Sequence, residues 1–187
     1  IKQKSSQHDL SLKHQEWLVK NFDNVEAHTL NLDKLFETFE STLSNFDSEL
    51  GMANSRARIR MTTLYQVAAA NKGIVVGTGN KVEDFGVGFY TKYGDGGVDI
   101  SPIADCNKSE VWEIGKSINI LQEIIEAAPT DGLWDDGRTD EGQLGLKYEE
   151  LEEAMNNVNS INREKYEKIR KINLHKMEPI PVCKIPN

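Results

Sequence analysis

The feature that most limits the fold is a short apolar run, Ile74 to Val76, that leads directly into the glycine-rich stretch GTGNKVEDFGVGFYTKYGDGG, residues 77–97. Glycines bound this run on both sides, and a short continuous apolar run is typical of a parallel strand buried on both faces. Glycine loses more conformational freedom on folding than any other residue, so an ordered loop with seven glycines is costly. Because ligands of open α/β sheets bind beyond the carboxyl ends of the strands, this stretch is a candidate binding loop.

Helical periodicity on both sides of the apolar run predicts a chain rich in helices. The alternating segment Val25–Leu32 predicts a strand, and Val98–Ile103 predicts a strand or an extended piece. Helices that alternate with short buried strands predict an α/β fold with a Rossmann-like parallel sheet flanked by helices, in a single domain over residues 1–187. The predicted helices are Gln7–Lys20, Leu32–Thr42, Ala53–Asn71, Asn107–Ile118, Lys147–Val158 and Asn162–Lys176.

The charge balance excludes two broad classes of partner. The formal net charge is −8, whereas a general binder of nucleic acids or membrane surfaces needs a basic face. No apolar run approaches the ~20 residues that cross a bilayer. The two cysteines, Cys106 and Cys183, lack CxxC or histidine spacing, so we expect free thiols in a reducing cytoplasm.

The glycine-rich stretch carries several groups suited to phosphates. Thr78 offers a hydroxyl, and Glu83 offers the hard oxygen ligand that Mg²⁺ accepts beside phosphates and water. The alternative is an ordinary strand-to-helix turn with solvated charges, since GTG is neither GxGxxG nor a Walker A motif. Lys92, between two aromatic residues and before a Gly-Asp-Gly-Gly turn, suits a phosphate or carboxylate. A plain β-hairpin turn explains that segment equally well.

Other cations lie at positions where anionic ligands bind. In NSRARIRM, arginines two residues apart diverge by about 200° around a helix, so Arg58 or Arg60 must point toward protein or ligand. Salt bridges within the chain are the alternative. Lys108 opens a predicted helix, where it can share an anion with the helix N-terminus. His175 and Lys176 close the last helix, and a helix-end pair favoured by the dipole explains them on physical grounds alone.

No Ser-His-Asp set, Cys-His pair or metal-ligand cluster is visible in the sequence, so covalent catalysis has no support. The lysines, arginines, single carboxylate and glycine loops together indicate a polyphosphate site, where positioning and charge stabilisation dominate the chemistry.

The motifs RARIRM, GTGNKVEDFGVGFYTKYGDGGVD, PTDGLW, RTDEGQLG and a terminal HK occur in that order, and the chain therefore resembles NAD⁺ synthetases of the ammonia-dependent type. The resemblance covers nearly the whole chain and is strongest over residues 54–145. It implies an ATP-pyrophosphatase type of fold and a cytoplasmic ligase that converts deamido-NAD⁺, ATP and ammonia into NAD⁺, AMP and pyrophosphate. It also implies Mg²⁺ and a homodimer, which we expect to pair through the helix Ala53–Asn71.

The resemblance also assigns residues by matching motifs. Relative to the enterobacterial-type enzymes, the spacing from Glu83 to Lys92 is one residue longer. The loop Pro129–Gly145 lacks an apolar period, and we expect a mobile lid there that excludes water. The implied ATP-binding residues are Thr78, Lys108 and Thr130, the Mg²⁺ ligand is Glu83, and the deamido-NAD⁺ contacts are Arg58, Lys92, Asp99, His175 and Lys176.

One family motif, a phosphate loop of the form SGGxDS, is absent from these residues, and we expect it to precede Ile1. Two alternatives stay open. The chain belongs to another ligase of the ATP-pyrophosphatase type, or it is a catalytically inactive nucleotide-binding fragment.

Overall fold

The computed structural model describes residues 5–134 and 136–185, where helices form most of the regular structure. A 3₁₀-helix, Ser44–Phe46, and a π-helix, Lys81–Val87, accompany the α-helices. The α-helices are α1 (Ser5–Asn21), α2 (Asp33–Thr42), α3 (Glu49–Ala70), α4 (Lys108–Ser117), α5 (Gln122–Ile125), α6 (Asp140–Leu144), α7 (Tyr148–Asn156) and α8 (Arg163–Met177). None of the described helices combines the length and apolar character of a membrane span.

The six predicted helices are confirmed, and side-chain caps set the starts of α3 and α4. Helix α3 begins four residues before the predicted start because the side chain of Ser48 accepts a hydrogen bond from the Gly51 amide at 3.2 Å. Helix α4 begins at Lys108, where the Glu110 carboxylate accepts a hydrogen bond from the Asn107 amide at 2.6 Å. Each cap satisfies an amide that has no partner inside its helix.

The predicted sheet is reduced, within the described ranges, to one parallel bridge between Val76 and Ile100. The Gly77 amide donates to the Ile100 carbonyl at 2.7 Å, and the Asp99 amide donates to the Val75 carbonyl at 2.9 Å. The apolar run and the segment after the glycine-rich stretch therefore run side by side and in parallel, as an α/β fold requires. The extent of the sheet beyond this pair stays a prediction.

The predicted strand Val25–Leu32 is wrong, because these residues are irregular and mostly exposed. A strand must pair its backbone amides and carbonyls with a neighbouring segment, and no such pairing involves these residues in the described part of the chain. An alternating pattern indicates which face of a strand could be buried but does not provide a partner.

The main core lies where the π-helix packs against α7 and α8. Phe89 and Trp112 flank this core with partly buried rings. The core positions the site because the π-helix carries Glu83 and α7 carries Tyr148. Its buried members are Val82, Val87, Leu144, Leu146, Tyr148, Leu151, Ala154 and Tyr166.

Gly88 ends the π-helix in the left-handed conformation, with φ of 67°. A Cβ atom at this position would lie 2.7 Å from the Cβ of Asn173 on α8. Both the backbone angle and the close approach require glycine here. The residue brings the glycine-rich stretch directly against the last helix.

Candidate functional site

Glu83 is held at the start of the π-helix, where the side chain of Asn80 accepts hydrogen bonds from the amides of Val82 and Glu83 at 3.0 and 3.1 Å. The Oε1 atom of Glu83 accepts a hydrogen bond from Lys108 Nζ at 2.8 Å and lies 2.5 Å from the hydroxyl of Tyr148. Both side chains of the Glu83–Lys108 pair are mostly buried, with less than one fifth of the surface of each exposed. The predicted metal ligand and a predicted ATP-binding residue are therefore in direct contact.

Tyr148 and Asp140 complete this group, which we call the Glu83 cluster: Glu83, Lys108, Tyr148 and Asp140. The Tyr148 hydroxyl also lies 3.1 Å from Asp140 Oδ2, and Lys108 Nζ lies 4.8 Å from the centre of its ring. Burial, followed by the neighbouring Glu83 charge, raises the pKa of Tyr148, so its hydroxyl stays protonated. Burial also raises the pKa of Asp140 to about 6.

Thr130 lies beside a cavity of about 340 Å³ that Lys108 and Asp131 also line. Its hydroxyl donates to the Arg138 carbonyl at 3.1 Å and accepts from the Gly132 amide at 3.3 Å. The structure thus brings Thr130 and Lys108 to one cavity. The Thr130 hydroxyl is bonded within its own loop.

Thr78 lines a second cavity of about 300 Å³, together with Arg60, Asp95 and Asp131. Asp131 belongs to the lining of both cavities, so the two lie next to each other. Thr78 itself is exposed at the mouth of the glycine-rich stretch. The three predicted ATP-binding residues therefore occupy two adjoining cavities.

Four of the five predicted deamido-NAD⁺ contacts form a second group, the Lys92 cluster: Arg58, Lys92, His175 and Lys176. Arg58 Nε donates to the Lys92 carbonyl at 3.3 Å, and Lys92 Nζ donates to the His175 carbonyl at 2.6 Å. Lys176 Nζ donates to the carbonyls of Gly88 and Tyr90 at 2.9 and 2.8 Å. Burial lowers the pKa of Lys176, although the nearby Asp95 opposes this effect.

Asp99 makes its described contacts elsewhere. Its carboxylate accepts hydrogen bonds from the Val75 amide at 2.8 Å and from the Tyr65 hydroxyl at 3.1 Å. These contacts fasten the end of the glycine-rich stretch to the apolar run and to α3. The structure therefore gives Asp99 a structural position rather than a place in the Lys92 cluster.

The prediction that an arginine of NSRARIRM points toward protein is confirmed. Arg56 Nη1 donates to the Leu133 carbonyl at 2.5 Å, and Arg60 Nη2 donates to the Gly132 carbonyl at 3.3 Å. Burial lowers the pKa of Arg60, and the adjacent Arg56 charge lowers it further. Both arginines hold the loop that contains Thr130.

Two residues of this region were not predicted. Burial, together with the neighbouring Glu83 and Asp95 charges, raises the pKa of Asp84 to about 7. Its carboxylate lies against Gly79, where a Cβ atom would come within 1.9 Å of Oδ2. The neighbouring acids Glu83 and Asp84, which follow Gly79 closely in the sequence, were a signal for this close contact. Tyr148 had no comparable signal, because its pattern indicated only the start of a helix.

The Glu83 cluster fits a magnesium ion that also binds phosphates. Within the described ranges, no group of three acidic, histidine or cysteine side chains could enclose a metal. Mg²⁺ does not need one, since it commonly takes one or two carboxylates together with phosphate oxygens and water. Both described contacts of the Glu83 carboxylate end on Oε1, so neither of them occupies Oε2.

The family model described as NAD synthase matches residues 2–185. An NH(3)-dependent NAD(+) synthetase from Carboxydothermus hydrogenoformans is 40% identical over 139 residues, which cover 72% of this chain and 56% of that protein. The protein from Alkaliphilus metalliredigens with the same name is 38% identical over 171 residues, covering 84% and 68%.

Two solved structures share the fold. The NMN synthetase from Francisella tularensis superposes with a TM-score of 0.86 and 30% identity, covering 99% of this chain and 74% of that one. The NH3-dependent NAD synthetase from Campylobacter jejuni, at 24% identity and a TM-score of 0.65, covers 86% and 67% and supports the fold alone. These neighbours have the ATP-pyrophosphatase fold expected from the sequence. The chain spans about half the length of the first curated relatives it matches. The chain belongs to the NAD synthase family.

Proposed function

We propose that this chain is part of a ligase that amidates deamido-NAD⁺ with ammonia at the expense of ATP, and that residues 1–187 belong to one synthetase domain. The observation that carries the proposal is the contact between Lys108 Nζ and Glu83 Oε1 at 2.8 Å, beside a cavity that Lys108 shares with Thr130. Residues assigned to ATP and to its metal thus converge, although 25 positions separate Glu83 from Lys108. Family membership supports the reaction itself.

The reaction has two steps. The nicotinate carboxylate of deamido-NAD⁺ attacks the α-phosphorus of ATP, and the bond to the bridging oxygen breaks to release pyrophosphate. Ammonia then adds to the acyl carbon, a proton leaves, and the carbon–oxygen bond to AMP breaks. A carboxylate is a poor acyl electrophile, so the adenylyl group supplies the leaving group that the amidation requires.

The proposal gives each group of residues one task. Thr78, Lys108 and Thr130 bind ATP, and Lys108 exchanges its partner Glu83 for phosphate oxygens. Glu83 binds Mg²⁺, which when present neutralises phosphate charge. The Lys92 cluster holds deamido-NAD⁺, and its cations now bond to backbone carbonyls that an anionic ligand can replace. Asp99 is retained as a contact of deamido-NAD⁺ through its position at the end of the glycine-rich stretch.

The loop Pro129–Gly145 is proposed as the lid over the acyl-adenylate. Two arginines of α3, Arg56 and Arg60, hold its middle by carbonyl groups, and α6 forms its far end. Closure of such a lid excludes water, which would otherwise hydrolyse the intermediate. The movement is confined to the part before α6, because Asp140 belongs to the Glu83 cluster and Leu144 to the main core.

A cytoplasmic homodimer completes the proposal. Helix α3 exposes the apolar side chain of Leu64, and Met61 lies on the same helix beside the Thr78 cavity. Helix α3 combines an apolar surface with Arg58. Pairing of two copies through this helix would therefore place Arg58 at the dimer interface.

A second candidate is the amidation of nicotinate mononucleotide to NMN. It is favoured by the likeness to the Francisella protein, which covers nearly all of this chain. The two candidates share the adenylylation and amidation chemistry and differ only in whether the substrate carries the second nucleotide. They are therefore distinguished by substrate preference alone.

The test uses the intact protein that contains this chain, with ATP, ammonium and either deamido-NAD⁺ or nicotinate mononucleotide. We expect pyrophosphate release and amide formation with deamido-NAD⁺, and a loss of at least about 100-fold in Glu83→Gln. Glu113→Gln is the matched control, because Glu113 pairs with Lys116 on the surface of α4. Equal rates in the parent and Glu83→Gln would refute the assignment, and a preference for the mononucleotide would select the second candidate.

A further inference from the structure

Tyr148, the first residue of α7, is among the largest fully buried side chains, with 1% of its surface exposed. A buried tyrosine hydroxyl needs a hydrogen-bond partner, and most partners of this kind are neutral backbone groups. This hydroxyl instead lies within hydrogen-bonding distance of two carboxylates, Glu83 at 2.5 Å and Asp140 at 3.1 Å. A phenol has one proton to donate, so the shorter contact, to Glu83, takes it.

The position of Glu83 therefore depends on two donors that behave differently. Lys108 is long and flexible, it lines the cavity beside Thr130, and it must turn toward phosphate oxygens if it binds a nucleotide. Tyr148 is fixed on the other side by the core, where the Trp112 ring lies edge-on at 6.1 Å. After Lys108 moves away, the Tyr148 hydroxyl remains as the contact that holds Oε1.

We propose that Tyr148 is a positioning residue: its hydroxyl fixes Oε1 of Glu83 so that Oε2 faces a divalent cation bound with a nucleotide. The proposal rests on the proposed function only insofar as that function places Mg²⁺ and ATP at Glu83. A residue one shell away from a metal commonly changes the metal affinity 10–100-fold when its hydrogen bond is removed.

A purely structural role for Tyr148 makes a different prediction. Tyr148 packs in the same core as Tyr166, which is 3% exposed and whose ring lies 5.4 Å from the guanidinium carbon of Arg163. Loss of either hydroxyl keeps the ring and its packing. If Tyr148 acts only through packing, Tyr148→Phe and Tyr166→Phe should have similar consequences.

The experiment measures the thermal stabilisation of the intact protein by α,β-methylene ATP as the free Mg²⁺ concentration is varied. This analogue cannot be cleaved at the bond that the reaction breaks, so no turnover is needed. We expect Tyr148→Phe to require about tenfold more Mg²⁺ for half of the stabilisation. Tyr166→Phe should keep the parental midpoint.

A double-mutant cycle with Glu83→Gln keeps the test decisive even if Tyr148→Phe lowers the melting temperature. If Tyr148 acts through Glu83, Tyr148→Phe has no further effect on the Mg²⁺ midpoint once Glu83 is replaced. An unchanged Mg²⁺ midpoint in Tyr148→Phe overturns the proposal. It is also overturned if stabilisation of the parent protein by the analogue does not depend on the Mg²⁺ concentration. If the parent protein binds Mg²⁺ with the analogue but amidates neither nicotinate substrate, the proposed function is refuted. The role of Tyr148 is then still decided by the Mg²⁺ midpoint of Tyr148→Phe.

Discussion

Within residues 5–70, the buried apolar side chains that the structure describes are Phe36, Ala53 and Ala57, whereas residues 82–166 bury eight in one continuous cluster. In the first region, α1 and α2 expose large apolar side chains such as Leu12, Val19 and Leu35. In the second, the π-helix, α7 and α8 pack closely around Tyr148, Leu151 and Tyr166.

The difference shows how each region supports the site. The Glu83 cluster lies on elements whose positions are fixed by packing. From the first region, Arg58 and Arg60 of α3 each reach the site through a single hydrogen bond to a backbone carbonyl. Groups that must hold a metal to within a fraction of an ångström are placed on packed elements, and groups that hold loops are not.

The largest expected effect is a difference in unfolding free energy between leucine-to-alanine substitutions in the two regions. Leu151→Ala removes a fully buried side chain from the second region and should lower the free energy of unfolding by about 3–4 kcal/mol. Leu12→Ala in α1, where 37% of the side chain is exposed, should cost less than about 1 kcal/mol. Urea denaturation of the intact protein measures both changes. Equal losses would show that the first region is packed as firmly as the second.

A backbone substitution gives the next largest effect. Gly88→Ala introduces a Cβ at φ of 67° and 2.7 Å from Asn173 Cβ, so we expect a loss of about 2–3 kcal/mol. The variant should also weaken the Lys92 cluster, because Lys176 Nζ donates to the Gly88 carbonyl.

Gly73→Ala is the matched control, since a Cβ there meets its nearest atom at an ordinary 3.7 Å. It follows α3 and should change stability by less than about 1 kcal/mol. A melting temperature for Gly88→Ala that matches that of Gly73→Ala would contradict the strain at position 88.

The smallest expected effect depends on pH. The pKa of Asp84 is raised from 3.8 to about 7 by burial, so the stability this group contributes is present below pH 4 and is lost as pH rises through 7. The gap between the two pKa values corresponds to roughly 4 kcal/mol, and about 2 kcal/mol is expected since Asp84 keeps some solvent contact.

Asp84→Asn should therefore exceed the parent in stability at pH 8, and the advantage should vanish as pH falls toward 4. Chemical denaturation at both pH values in the presence of a chelator measures the difference. Glu37→Gln, at an exposed position of α2, is the surface control. If Asp84→Asn shows no advantage at pH 8, its carboxylate is better solvated than the structure indicates.

The six longer helices could be predicted from the sequence because each has an apolar period, whereas the cap that Ser48 provides for α3 and the short helices α5 and α6 were missed. The sequence could not show that Val25–Leu32 fails to form a strand. Strand formation requires a neighbouring segment to pair with, and an alternating pattern does not specify one. Family motifs placed Glu83 and Lys108 in one site, and the structure adds that they touch. Tyr148 escaped prediction because its role depends on the fold, which brings the first residue of α7 to a carboxylate 65 positions earlier.

The sequence predicts one residue more between Glu83 and Lys92 than in the enterobacterial-type enzymes, and the π-helix Lys81–Val87 is a turn that can take in such a residue. A π-turn closes its hydrogen bonds from residue i to i+5 rather than i+4, so it takes in an added residue where an α-turn would rotate everything after it. Glu83 can thus face Lys108 while Lys92 still meets His175 on α8. A turn of this width would let the segment between Glu83 and Lys92 differ by a single residue while both contacts are kept.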